Sequence, residues 1–141
     1  MTILVSACLL GENCKYSGGN NRSQAVLDFC AGHTVIPICP ERDGGLPMPR
    51  PASEIVNGVV MNKLGENVDA QYRAGAAHAV QLAKEHHANL AILQPRSPSC
   101  GVTQRYDGTF SGTLIDGQGI AAEALTQAGI KCIDADKLDS L

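Results

Sequence analysis

Three cysteines hold most of the chemistry this sequence offers. Cys8 ends the apolar run Ile3-Leu4-Val5-Ser6-Ala7, Cys39 ends Val35-Ile36-Pro37-Ile38, and Cys100 follows Leu90-Ala91-Ile92-Leu93 through a turn-forming stretch, Gln94 to Ser99. If these runs are adjacent parallel strands, three thiols meet at one sheet edge, where open α/β sheets place ligands. In a reducing compartment such thiols point to bound metal rather than disulfides. One of them alone would read as a small buried hydrophobe. Three in the same topological position favour a shared site. Their separations are too long for a zinc knuckle, so the fold itself must assemble that site. Thiolates select zinc, copper(I) or iron–sulfur clusters. Closed structural zinc takes four protein ligands, so three cysteines suit either catalytic zinc or a cluster with one iron left open.

The residues around them extend the pattern. Glu41 lies two positions after Cys39, where a carboxylate beside a metal serves as general base for water; the alternative is a surface turn residue. Ser97, three positions before Cys100, either orients substrate or water or caps a turn. Arg50 and Arg96 are candidates for holding an anion or a carbonyl-bearing ring, against the usual solvated arginine. Cys14, in a glycine-rich loop after Cys8, reads as a further site thiol, a plain loop thiol or a redox partner of Cys8. Cys30 and Cys132 read as packing residues. His78, His86 and His87 fall on or near a helix away from the sheet edge. No Walker-type loop or complete dinucleotide-binding glycine fingerprint is present. The stretch Cys8 to Lys15 lacks the arginine that a cysteine phosphatase loop needs.

The elements that must position these side chains follow from periodicity and punctuation. Strands are predicted at Ile3–Ala7, Thr34–Ile38, Leu90–Leu93 and Lys131–Asp134. Helices are predicted at Gln24–Cys30, capped by Asn21 or Ser23 and stopped by Gly32, at Val68 to about His87, capped by Asn67, and at Ile120–Gln127, stopped by Gly129. In the long helix Val68, Tyr72, Ala76, Ala79, Val80 and Ala83 share one face. Asn57-Gly58 inside Ile55–Val60 marks a hairpin. Pro40 to Pro51, with four prolines and two glycines, reads as a shaped loop. Asp107-Gly108 marks a further turn. The order β-α-β-(hairpin)-α-β-α-β predicts an α/β fold: a small, open, mostly parallel sheet flanked by helices on both faces, Rossmann-like, with an added β-hairpin.

Composition narrows the function classes. The chain has 141 residues, 44% hydrophobic and 4% aromatic, without Trp, and a net charge of -3. That suits one domain over residues 1–141 with an aliphatic core. Few aromatics argue against a base-stacking surface, and the absence of a Lys/Arg-rich block argues against nucleic acid as a partner. No apolar run is long enough to span a membrane, and the N-terminus lacks a signal-peptide pattern. A cytoplasmic protein is the expectation, its six cysteines mostly reduced. Oligomeric state is left open.

Three separated motifs now have a family likeness. Ser6-Ala7-Cys8-Leu9-Leu10-Gly11 with Cys14-Lys15-Tyr16, then Cys39-Pro40-Glu41 with Gly45-Leu46-Pro47-Met48-Pro49-Arg50, then Ser97-Pro98-Ser99-Cys100-Gly101, resemble the thiouracil desulfidase family, long catalogued as a domain of unknown function. The resemblance covers nearly the whole chain, including Tyr106-Asp107-Gly108-Thr109-Phe110. It implies an oxygen-sensitive 4Fe-4S cluster held by Cys8, Cys39 and Cys100, whose fourth iron would take the sulfur of a thiolated pyrimidine such as 2-thiouracil or 4-thiouracil. Glu41 would activate the attacking water and Ser97 would assist positioning or proton transfer. The overall change would be hydrolytic, without net redox. Ser17, where the family commonly has an acid, and Gln94, where it commonly has Lys, depart from the pattern and bear on substrate preference. Two other classes remain beside this one: a metal-free thiol enzyme using Cys8 and Cys14, and a non-enzymatic sulfur or iron–sulfur carrier.

Overall fold

The computed structural model describes residues 1–141. Four strands form the central sheet: β1 (Thr2–Ser6), β2 (Thr34–Ile38), β5 (Leu90–Leu93) and β8 (Lys131–Asp134). All pair in parallel, in the order β2-β1-β5-β8. The chain leaves β1 toward β2 on one side and later returns to β5 on the other. The order therefore reverses between β1 and β5, which opens a crevice beyond their carboxyl ends. β5 sits between two neighbours, and all four of its residues are buried. β2 is an edge strand, which is why it tolerates Pro37.

Helices cover both faces, as the alternation of elements predicts. On one face α1 (Gln24–Cys30), capped by Ser23 through Val26 N–H, packs Val26 and Cys30 onto Ile3, Val5 and Ile92. On the other, α3 (Asp69–Glu85) and α4 (Ile120–Gln127) place Ala79, Ala83, Ala122 and Leu125 on Leu4, Ala91 and Leu93. Small alanines at these positions let the two helices approach the sheet and each other closely. The hairpin of β3 (Ser53–Val56) and β4 (Val59–Asn62) turns at Asn57-Gly58 and lays Ile55 and Val60 over Val68, Tyr72 and Ala76. Cys30 is core beneath α1, and Cys132 is half-buried against the cluster on the opposite face. No helix is long and apolar enough to cross a membrane.

The sequence pattern and the structure differ at four places. Pro40 to Pro51 is not wholly loop: Pro40–Asp43 forms a short helix, α2. Proline at its first position has φ already set for a helix, and Asp43 accepts a hydrogen bond from Cys39 N–H at 3.1 Å. The long helix begins at Asp69 rather than Val68 and ends at Glu85; Val68 holds the cap position, and Asn67, one residue before it, accepts from Asp69 N–H at 3.0 Å. β1 ends at Ser6, and Ala7–Leu10 is a 3-10 turn that carries Cys8. A second hairpin, β6 (Gln104–Tyr106) with β7 (Leu114–Asp116), stands where only a turn at Asp107-Gly108 is predicted. Its strands are three residues each and largely solvated, too short to show a period of two.

α2 is seated against α3 by two glycines. A Cβ on Gly75 would run into the Pro40 carbonyl, and one on Gly44 into the Gln71 carbonyl. Gly75→Ala therefore sets about 1 kcal/mol of helix propensity gained against overpacking of about 3 kcal/mol on a backbone that cannot rotate away. The expected net is a loss of roughly 2 kcal/mol, read as a fall in Tm on the order of 5 °C or more. A rise in Tm would mean that α2 is free to move off α3.

Candidate active site

The ends of β1, β2 and β5 open into one cavity of about 490 Å³, lined by Cys8, Cys39, Cys100, Glu41, Ser97 and Arg50 among others. The three strand-end thiols thus meet in space, each from a different local structure. Cys8 lies in the 3-10 turn after β1, and Cys39 stands at the residue just before α2, its side chain making no capping bond. Cys100 is set further from its strand, in the turn that follows Arg96. All three are buried.

Glu41 is built in rather than a surface turn residue. Its Oε1 accepts from Arg50 Nε at 3.0 Å, and its Oε2 accepts from Ser99 Oγ at 2.8 Å. Arg50 is not solvated either. Its remaining guanidinium nitrogens donate to the carbonyls of Cys14 at 2.9 Å and Pro47 at 3.2 Å. One buried arginine therefore ties the Cys14 loop, the proline-rich segment and the carboxylate together. Arg96, by contrast, is exposed and paired with Asp136 at 3.3 Å. His78, His86 and His87 are all exposed, away from the cavity.

Ser97 caps its own turn. Its Oγ accepts from the N–H groups of Ser99 and Cys100, both at 3.1 Å. It also lies 3.0 Å from Ser99 Oγ. The Ser99 proton has two acceptors in reach, Glu41 Oε2 at 2.8 Å and the Cys100 sulfur at 3.6 Å, and the much shorter contact assigns it to Glu41. Ser97 must then be the donor in the Ser97–Ser99 contact. The result is a directed chain, Ser97 to Ser99 to Glu41. Ser99 is the hydroxyl that touches the carboxylate, and nothing in the sequence singled it out; its one signal is the Ser-x-Ser spacing directly before Cys100.

The thiols differ in their surroundings. Burial pushes the Cys8 thiol up, partly offset by Asn21, whose side-chain amide donates to its sulfur at 3.5 Å. Burial pushes Cys100 up to about 12, with the charge of Glu41 adding to it. Cys39 is lowered: the neighbouring Cys14 thiol outweighs its burial, with help from Arg42 N–H, and its Sγ lies 3.6 Å from the Cys14 carbonyl. Cys14 is itself raised. Cys14 is thus a partner of Cys39 rather than of Cys8. In metal-free protein, Cys39 is expected to be the first of the three strand-end thiols alkylated by iodoacetamide as pH rises, because the thiolate is the nucleophile and only its pKa is lowered. Cys8 and Cys100 should lag behind it at every pH, which peptide mass mapping checks. Earlier modification of Cys8 would contradict this ordering.

The donor set fits a soft metal centre: thiolates select zinc, copper(I) or iron–sulfur clusters, and Cys8, Cys39 and Cys100 line one cavity of about 490 Å³. Burial that holds Cys8 and Cys100 protonated is offset when a metal cation takes the thiolate. A metal-free nucleophile would need the opposite at Cys8, an exposed thiol of lowered pKa.

Comparison with known proteins finds similarity over nearly the whole chain. A family model described as 2-thiouracil desulfurase matches residues 3–137. The uncharacterized protein YbbK of Bacillus subtilis (strain 168) is 37% identical over 149 aligned positions, covering 99% of each chain. A solved structure of the [4Fe-4S]-dependent thiouracil desulfidase TudS (DUF523Vcz) superposes with a TM-score of 0.94 at 35% identity, over 99% of this chain and 94% of that one.

Proposed function

The chain belongs to the 2-thiouracil desulfurase family, and from that membership we propose that it is a 4Fe-4S-dependent desulfidase that hydrolyses a thiolated pyrimidine to the ordinary nucleobase and sulfide. The observation that carries the reading is the shared cavity: three thiols from three strand ends, with a carboxylate held between an arginine and a serine. Cys8, Cys39 and Cys100 are the residues that would hold the cluster. When bound, it supplies a soft, Lewis-acidic iron without a protein ligand, suited to the sulfur of a thiocarbonyl.

The chain's own groups do the rest. Glu41 takes a proton from the water that attacks the thiocarbonyl carbon. Arg50 fixes the plane of the carboxylate through Nε. Ser99 fixes the second oxygen, and Ser97, behind Ser99, supplies or receives a proton along the hydroxyl chain. Reaction at a neutral ring needs no basic groove, in keeping with a net charge of -3. Six free cysteines fit a reducing compartment such as the cytoplasm.

The test is anaerobic reconstitution followed by 2-thiouracil and 4-thiouracil. The expected protein is brown, with about four irons and four sulfides per chain, and releases uracil and sulfide in equal amounts. Colourless protein that turns over thiouracil would overturn the cluster and favour a thiol mechanism. A loaded protein that turns over neither base would overturn the assigned substrates and leave a cluster carrier.

A further inference from the structure

Asn21 is a candidate helix cap from the sequence, but Ser23 does the capping. Asn21 lines the cavity instead. Its Nδ2 lies 3.5 Å from Cys8 Sγ, and its backbone N–H donates to the Cys8 carbonyl at 3.0 Å. The other end of the same amide accepts from Lys15 Nζ at 3.4 Å. An ammonium group only donates, so the amide oxygen must face Lys15 and the NH2 must face the sulfur. The orientation of this amide is therefore set by chemistry rather than chosen. Lys15 polarises the amide from behind and strengthens the N–H that reaches Cys8.

We propose that Asn21 is a positioning residue for the cluster, giving the Cys8 thiolate an N–H···S hydrogen bond that, with Lys15 behind it, favours the more reduced cluster state and retains its iron. This rests on the desulfidase reading above. The physical basis is charge. An electron added to the cluster raises negative charge on its thiolate ligands, and a donor aimed at one of those sulfurs stabilises that state more than the oxidised one. The backbone bond from Asn21 to Cys8 already closes the loop, so a purely structural residue here would need no amide. Such a role would leave the reduction potential where it was.

Wild type, Asn21→Leu and Asn21→Asp are reconstituted side by side without oxygen. Each is titrated for its midpoint potential and then challenged with an iron chelator, with circular dichroism confirming the fold. Leu keeps the size and removes the donor; Asp keeps the shape and replaces the donor with an acceptor. Both are expected to move the potential to more negative values, Asp further than Leu, and both to lose iron about 10-fold faster. If Asn21→Leu sheds its cluster before titration, Lys15→Met, which leaves Asn21 and Cys8 in place, carries the same expectation in smaller measure. Folded, loaded variants with unmoved potentials would overturn the role of Asn21 alone. A wild-type chain that takes up no iron would overturn both this role and the function it rests on.

Discussion

Glu41→Gln is expected to take up iron and sulfide in wild-type amounts and to turn over 2-thiouracil about 10²–10⁴-fold more slowly. Gln has the same size and can still accept from Arg50 Nε at one oxygen. It cannot take a proton from water. Because Glu41 touches Ser99 and Arg50 but is not among the three thiols, cluster content and turnover should separate. The measurements are iron and sulfide content, the visible spectrum, and the rate of loss of thiouracil absorbance. Loss of colour in step with activity would show that Glu41 acts on the cluster site's structure. Unchanged turnover would remove it as the base, and the search would move to Ser97 and Ser99.

The second large effect is on stability. Arg50→Ala should cost the metal-free protein about 3 kcal/mol, the scale for breaking a buried ion pair by removing one partner. The Arg50 side chain is 4% exposed and that of Glu41 13%, so little solvent screens the pair. Truncation removes at once the guanidinium donor to the Glu41 Oε1 and to the Cys14 and Pro47 carbonyls, leaving the Cys14 carbonyl only the weak Cys39 thiol. That is a large share of the 5–15 kcal/mol of a typical domain. Arg50→Lys should recover little, since one ammonium cannot reach three acceptors that a planar guanidinium spans. Denaturant midpoints of the three chains measure it. A loss below about 1 kcal/mol, the range of an exposed pair, would mean that Glu41 is solvated and that Arg50 does not hold it.

Much of the frame is legible in the sequence because it depends on neighbours along the chain. Thr34–Ile38, Leu90–Leu93, Ile120–Gln127 and Lys131–Asp134 are bounded by the same Gly, Pro and capping residues that their patterns announce. The parallel order follows from strands alternating with helices, and it brings Cys8, Cys39 and Cys100 to one end of the sheet. Local rules failed where an element is short or its partner distant. α2 is a single turn, stabilised by Pro40 and by its seat against Gly75. β6 and β7 are three residues each, and their pairing rather than their pattern makes them strands.

The site divides along the same line. From residue types alone, the sequence determined a thiol-rich site at strand ends with a carboxylate beside it. Only the tertiary structure decided which groups hold which. Ser99 reaches Glu41 across 58 positions, Arg50 reaches the Cys14 carbonyl across 36, and Asn21 reaches the Cys8 sulfur across 13. Propensity and spacing describe the backbone over a few residues, whereas a hydrogen bond needs two atoms within about 3 Å and correctly aimed. That condition is met only after the sheet has formed and the loops beyond its strands have closed over the crevice.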